Sequence, residues 1–317
     1  MGNGGFSCME INAVFEGGGV KGISLAGAVE ATERAGRTFK KVAGTSSGAI
    51  VATLLAAGYE GEEMSRIIQG TSFSSFMKRA PIYNTAWVGP ALRVLLKKGL
   101  YSGEALESWM RSLLLIKGII TFRDLPPGKL SIIASDITNG RILVLPDGLE
   151  QYGISPEHFE VAKAVRMSCS IPYFFDPVML RLNGQSARGK SFIEQFVYVV
   201  DGGLLSNFPL WLFDGMNENS KVPGKRIPTV GYQTVGKTDP QPHRIRGPFS
   251  MLQAMVSTML SAHDEKYIEN DKYVRTVTIP TLGIGTTQFN ITKMQSDELY
   301  AAGLKAGEDF FKEWRPR

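Results

Sequence analysis

Cysteine and histidine are scarce in this chain, two and three residues respectively among 317. Cys8 and Cys169 cannot build a disulfide framework, and neither sits in a CxxC pair, so thiol-metal and thiol-redox motifs are absent. Free thiols suit a reducing compartment, and the expected location is cytoplasmic. Long hydrophobic runs are lacking too. The uncharged stretch Val42 to Tyr59 opens on Gly44-Thr45-Ser46-Ser47-Gly48, and what remains is shorter than the about 20 apolar residues of a membrane span. Leu113 to Ile120 is shorter still and contains Lys117. At the N-terminus Glu10 and Glu16 interrupt the apolar core a secretory signal needs, and Phe6 stands where a myristoylation motif wants Ser or Thr. Neither a signal peptide nor a transmembrane helix is expected, so any membrane association would be peripheral. Blocks of about five or more like charges are also missing. With 35 Lys+Arg against 30 Asp+Glu the net charge is +5, which gives weak attraction to anionic surfaces and no case for nucleic acid as a partner.

What is present is a globular composition. Hydrophobic residues at 43% and charged residues at 21% supply a core and rule out a disordered chain. The 35 glycines follow no G-X-Y period, which excludes collagen. At about 150 residues per domain the length fits one large or two small domains. Since no repeat and no low-complexity linker interrupts it, residues 1–317 read as a single domain. Ile11 to Glu16 reads as a buried strand, followed by a glycine turn and a helix through Arg34. Lys40 to Ala43 reads as a second strand, followed by a second glycine turn and the buried helix Ala49 to Ala57. This alternation predicts an α/β fold with a mainly parallel sheet and helices on its faces. Further strands are expected at Leu130 to Ser135, Arg141 to Leu145, Tyr198 to Val200, Ile227 to Gln233 and Tyr273 to Ile279. Arg181 to Val200 reads as a hairpin with a polar connection. Helices are expected at Pro156 to Met167, Phe249 to Asn270 and Ser296 to Trp314.

Gly17-Gly18-Gly19-Val20-Lys21-Gly22 is a GxGxxG loop between a strand and a helix, the setting of a dinucleotide fingerprint. The acid expected about 20 positions on is missing, since that neighbourhood is Val42-Ala43-Gly44. A Walker loop fails because Lys21 precedes the last glycine and no Ser or Thr follows Gly22 directly. An oxyanion hole fits, because consecutive glycines let backbone N–H groups converge near a helix N-terminus. A tight turn that only glycine can make explains the loop equally well.

Gly44-Thr45-Ser46-Ser47-Gly48 is G-x-S-x-G between a strand and an apolar helix, which makes Ser46 a candidate nucleophile on a sharp elbow. The plain alternative is a helix N-cap. A serine nucleophile needs a base. His158, His243 and His263 are the imidazoles on offer. The order Ser46, Asp201, His243 or His263 would suit an α/β-hydrolase triad, but only one strand and one helix precede the elbow, too few for that fold. Asp201 ends an apolar strand, where α/β sites cluster, and Gly202-Gly203 bare the backbone around it. A carboxylate against a serine hydroxyl can act as base directly; the bland reading is a turn Asp.

The three motifs, in this order, resemble those of the patatin-like phospholipase family, GGGxxG, GxSxG and DGG. Met167-Ser168-Cys169-Ser170-Ile171-Pro172, Phe175-Asp176-Pro177 and Asn207-Phe208-Pro209 look similar as well. The resemblance runs from about Asn12 to the C-terminal helix, with the core motifs within 12–210. It implies a three-layer α/β/α fold and a metal-independent acyl hydrolase of phospholipase A or lysophospholipase type, without cofactor. It also implies Ser46 as nucleophile, Asp201 as general base, and the amides of Gly17, Gly18 and Gly19 as oxyanion donors, framed by Gly22, Gly44, Gly48, Gly202 and Gly203. The expected partner is a phospholipid or other acyl-ester lipid at a membrane surface. A carboxylesterase for soluble esters shares all three motifs, and a nucleotide-binding protein would use only the glycine loop. Residues 60–125 match no motif and are expected to form lid or acyl-groove helices. Within them Phe73 to Lys98 mixes aromatic and basic residues as an interfacial segment would.

Overall fold

A computed structural model describes residues 9–71, 73–77, 93, 97–218, 227–236, 245, 247, 251, 254–255, 258, 275–286, 288 and 290–315. Strands are β1 Met9–Phe15, β2 Arg37–Thr45, β3 Gly99–Tyr101, β4 Leu130–Asp136, β5 Arg141–Leu145, β6 Tyr173–Phe175, β7 Val178–Arg181, β8 Phe196–Asp201, β9 Thr229–Val235 and β10 Thr276–Pro280. Helices are α1 Gly22–Arg34, α2 Ser47–Ala56, α3 Gly61–Gln69, α4 Glu104–Ile116, α5 Val161–Ser168, α6 Trp211–Glu218 and α7 Lys293–Glu313. The sheet runs β10-β9-β1-β2-β4, all parallel, and is extended by antiparallel β8, β7 and β5. A separate pair, β3 with β6, is parallel.

Alternation along the central strands explains the layers. On β1, Ile11, Ala13 and Phe15 enter the main core with the helices α1 and α2, while Val14 points to the other face. There Val14 and Ala43 pack against Phe208, Leu210 and Phe213 from the start of α6 and the turn before it. Where both faces of the sheet are covered a strand has no polar side, and the second half of β1, Ala13-Val14-Phe15, is an unbroken apolar run, while Glu10 and Asn12 fall in its first half. Helix α1 lies against α7, and Gly303 on α7 permits this: a Cβ there would stand 1.8 Å from the Ser24 carbonyl oxygen.

The long helix expected from Phe249 to Asn270 falls largely outside the described residues, as does most of Phe73 to Lys98. Some elements differ from the sequence expectation. The helix expected from Pro156 begins only at Val161, because Glu160 is held extended in a bridge to Thr121. The short strands β3 and β6, three residues each, carry no alternation by which to see them.

Candidate functional site

Strands β2 and β8 share one edge of β4 and run toward each other. The last pair of parallel β2 is Thr45 with Ile133, and the last pair of antiparallel β8 is Asp201 with Ala134. The hairpin partner β5 takes the opposite edge of the same residues. Two strands ending over consecutive residues of β4 bring together Ser46 and Asp201, 155 positions apart in sequence. The Ser46 hydroxyl donates to Asp201 Oδ2 at 2.7 Å.

Each partner is held from behind. Ser46 has φ +53° and ψ −123°, a conformation that costs a residue with a side chain about 1–3 kcal/mol. Its N–H donates to Ser168 Oγ at 2.8 Å, and Ser168 Oγ donates to the Ile133 carbonyl at 2.6 Å. The end of α5 thus pins the elbow to β4. The flanking glycines let α2 lie on bare strand backbone: a Cβ at Gly48 would stand 2.3 Å from the Phe15 carbonyl oxygen, and one at Gly44 2.3 Å from that of Gly48. Asp201 Oδ1 accepts the Gly203 N–H at 2.8 Å, so its side chain is fixed at both oxygens. Gly202 sits against the Ile133 carbonyl, and Gly22 opens α1 against the Ser47 side chain.

Asp201 is 1% exposed. Burial raises its carboxyl to about 7, against the smaller lowering effects of the Ser46 hydroxyl and the Gly203 amide. Beside them the Cys169 thiol is pushed well up by burial and by the Asp201 charge, so it stays neutral. Ser46, Ser47, Gly19 and Cys169 open onto an apolar cavity walled by Ile50, Phe76, Leu106, Ile171 and Phe175. Phe76 and Leu106 come from the region 60–125, which therefore contributes to the wall of this cavity.

The glycine loop differs in detail from expectation. Gly17 N–H donates to the Asn207 carbonyl at 3.1 Å, while Asn207 Nδ2 donates to the Gly17 carbonyl at 3.0 Å. Its amide is therefore engaged, and the expectation that Gly17 is an oxyanion donor is corrected: Gly17 anchors the loop. Gly18 N–H donates to Ser47 Oγ at 2.9 Å. Gly19, at φ +57°, has an N–H with no acceptor among the described residues, and it lines the cavity beside Ser46. Val20 N–H and Lys21 N–H go to the carbonyls of Thr286 and Gly18. Ser168 and Asn207 were visible in the sequence only as parts of motifs; their positioning contacts are long-range.

His158 is exposed on the turn before α5, and both Asp201 oxygens are already engaged. His243 and His263 lie outside the described residues. Among the described residues no three His, Cys, Asp or Glu side chains group as metal ligands. Also among them, no helix is long and apolar enough to cross a membrane.

The sequence model of the family described as patatin-like phospholipase matches residues 13–214, more than half of the chain. The chain belongs to the patatin-like phospholipase family. An uncharacterized protein of Bacillus subtilis (strain 168), YqhO, is 40% identical over 311 residues, 96% of this chain and 99% of that one. A second relative, the uncharacterized protein R571 of Acanthamoeba polyphaga mimivirus, is 25% identical over 307 residues, covering 93% of this chain and 91% of its own. Among solved structures, VipD from Legionella pneumophila superposes with a TM-score of 0.52 at 17% identity, covering 96% of this chain and 67% of VipD. That likeness is one of fold, and it runs over nearly the whole chain.

Proposed function

We propose that this patatin-like protein is a lipid acyl hydrolase of phospholipase A or lysophospholipase type, acting through an acyl-serine intermediate on Ser46 with Asp201 as its base. The observation that carries the reading is the 2.7 Å hydrogen bond from the Ser46 hydroxyl to a buried carboxylate, made on a strained elbow at the N-terminus of α2. In the acylation step Ser46 Oγ bonds to the ester carbonyl carbon while its proton passes to Asp201 Oδ2. The charge that develops on the carbonyl oxygen is received by Gly19 N–H, while Gly18 N–H stays on Ser47 Oγ and holds the loop in place against α2. Collapse breaks the bond to the alcohol oxygen, which takes the proton from Asp201. Water then enters by the same route, giving its proton to Asp201, and frees the carboxylic acid and Ser46. A base that titrates near neutrality serves both directions of proton transfer.

The apolar cavity wall favours an acyl chain over a polar acid, which favours lipid esters over the general soluble esters of the alternative reading. The nucleotide reading loses support because the amides of Gly17, Gly18, Val20 and Lys21 are engaged within the protein rather than directed at one phosphate. The test is a panel of phospholipids and lysophospholipids scored for released fatty acid, with Ser46→Ala as control. Release by the wild type and none by the variant is expected. No release from any lipid by a folded wild type overturns the proposal.

A further inference from the structure

The β7–β8 hairpin continues past the site on the side where the parallel strands end. From Asp201 back to Phe196 it rises five residues beyond the Ser46–Asp201 pair, roughly 17 Å at the strand repeat. Its inner positions are buried: Val178, Leu180, Val197 and Val199. Its outer positions should then be polar. Instead only Arg181 is charged; Met179 on β7 pairs with Tyr198 on β8, and Arg181 pairs with Phe196. Met179 is 54% exposed, and at the hairpin's far end Phe192 and Ile193 are 68% and 83% exposed.

Cations are laid over this face. The Arg181 guanidinium stands over the rings of Phe192 and Phe196 at 5.9 and 6.0 Å, and Lys98 Nζ over Tyr198 at 4.9 Å. Arg188 and Lys190 are exposed in the same connection. None of these four forms an ion pair among the described residues. The acids of the neighbourhood are fewer. Glu194 turns back on the Ser191 N–H and hydroxyl, and Asp147 and Glu150 lie on the turn that packs against the start of the connection.

We infer that this hairpin is the membrane-docking element of the protein and that it recognises an anionic lipid bilayer. Exposed aromatic and aliphatic side chains at a tip enter the headgroup boundary, and Arg and Lys beside them reach the phosphates. Strand β7 follows Phe175, a wall of the Ser46 cavity, by only two residues, so the element that meets the bilayer is joined directly to the lipid's destination. The inference rests on the lipid-hydrolase reading for its meaning, but it is tested separately from it. The expected interfacial segment Phe73–Lys98 lies largely outside the described residues, and Lys98 is common to it and to the hairpin face.

The experiment is flotation of Ser46→Ala protein with vesicles of phosphatidylcholine alone or mixed equally with phosphatidylserine, with and without Phe192→Ser/Ile193→Ser. A second variant, Arg181→Gln/Lys190→Gln, covers the case that the first misfolds. Binding is expected to the anionic vesicles, weakened about tenfold or more by the apolar pair. The charge pair should weaken it at low salt and lose that effect at high salt. In the Ser46 background both double variants should keep wild-type turnover of a soluble short-chain ester. Absence of wild-type binding, or equal binding by all three proteins, overturns the docking assignment while leaving soluble-ester hydrolysis to judge the chemistry. Hairpin-dependent binding without hydrolysis of any ester sustains the docking surface and removes the hydrolase reading.

Discussion

Replacing Asp201 by Asn should disable the enzyme and stabilise the protein, with both effects set by the same pH. Burial raises the carboxyl from an ordinary 3.8 to about 7 in the folded protein. A folded-state value above the unfolded one means that the native protein binds this proton more tightly. Stability from this group is then complete below pH about 4 and is lost as pH rises through about 7. The shift is roughly three units, which at about 1.4 kcal/mol each sets a ceiling near 4 kcal/mol for the cost of holding the bare carboxylate above neutrality. Asn is neutral throughout and can still accept from Gly203 N–H. The Tm of Asp201→Asn should therefore match wild type near pH 4 and exceed it at pH 8. Activity runs the opposite way, because only the carboxylate can take the Ser46 proton. For a base with a value of about 7, kcat/KM on a soluble chromogenic ester should rise about 50-fold between pH 5 and pH 7. The Asn variant should be slower by about 10²–10⁴ at every pH. A flat wild-type profile from pH 5 to 8, or an Asn variant no more stable than wild type at pH 8, would refute the reasoning.

Ser47→Ala removes the acceptor of Gly18 N–H and with it one tie between the glycine loop and α2. Turnover should fall about tenfold with little change in KM, consistent with a hydrogen bond of about 1 kcal/mol, and an unchanged kcat would show that the tie does not position the loop. Alanine at His158, His243 or His263 should leave kcat within a few-fold of wild type; a loss as deep as that of Asp201→Asn at any of them would convert the dyad into a triad. Chelator should not alter ester hydrolysis, and activity lost in chelator and restored by calcium would contradict the mechanism.

Much of the site was legible because its parts are local. The elbow at Ser46 and the glycine loop each show as strand, glycine turn and helix within a dozen or so residues, and backbone geometry demands those glycines. What was not legible is how Asp201 reaches Ser46. Nothing near residue 201 states that β8 runs antiparallel and ends head-on against β2, because that pairing is decided across β4. For the same reason Gly17 was misassigned: its amide is engaged by Asn207, a residue 190 positions away. The α7 boundary could have been read better. Thr292 and Gln295 form a capping box, so the helix starts at Lys293, three residues before the expected Ser296. The outward Met179, Phe196 and Tyr198 were hidden for a different reason. Alternation marks a strand's two faces but does not say which one the core will cover.

The central claim is that Ser46 carries the acyl group. Wild-type protein treated with a fluorophosphonate probe, digested and analysed by mass spectrometry, reads this directly. The adduct should map to Ser46 alone. It should be absent from folded Ser46→Ala and strongly reduced in Asp201→Asn, with loss of ester hydrolysis in parallel. An adduct on another residue, or hydrolysis by folded Ser46→Ala within a few-fold of wild type, would contradict the account.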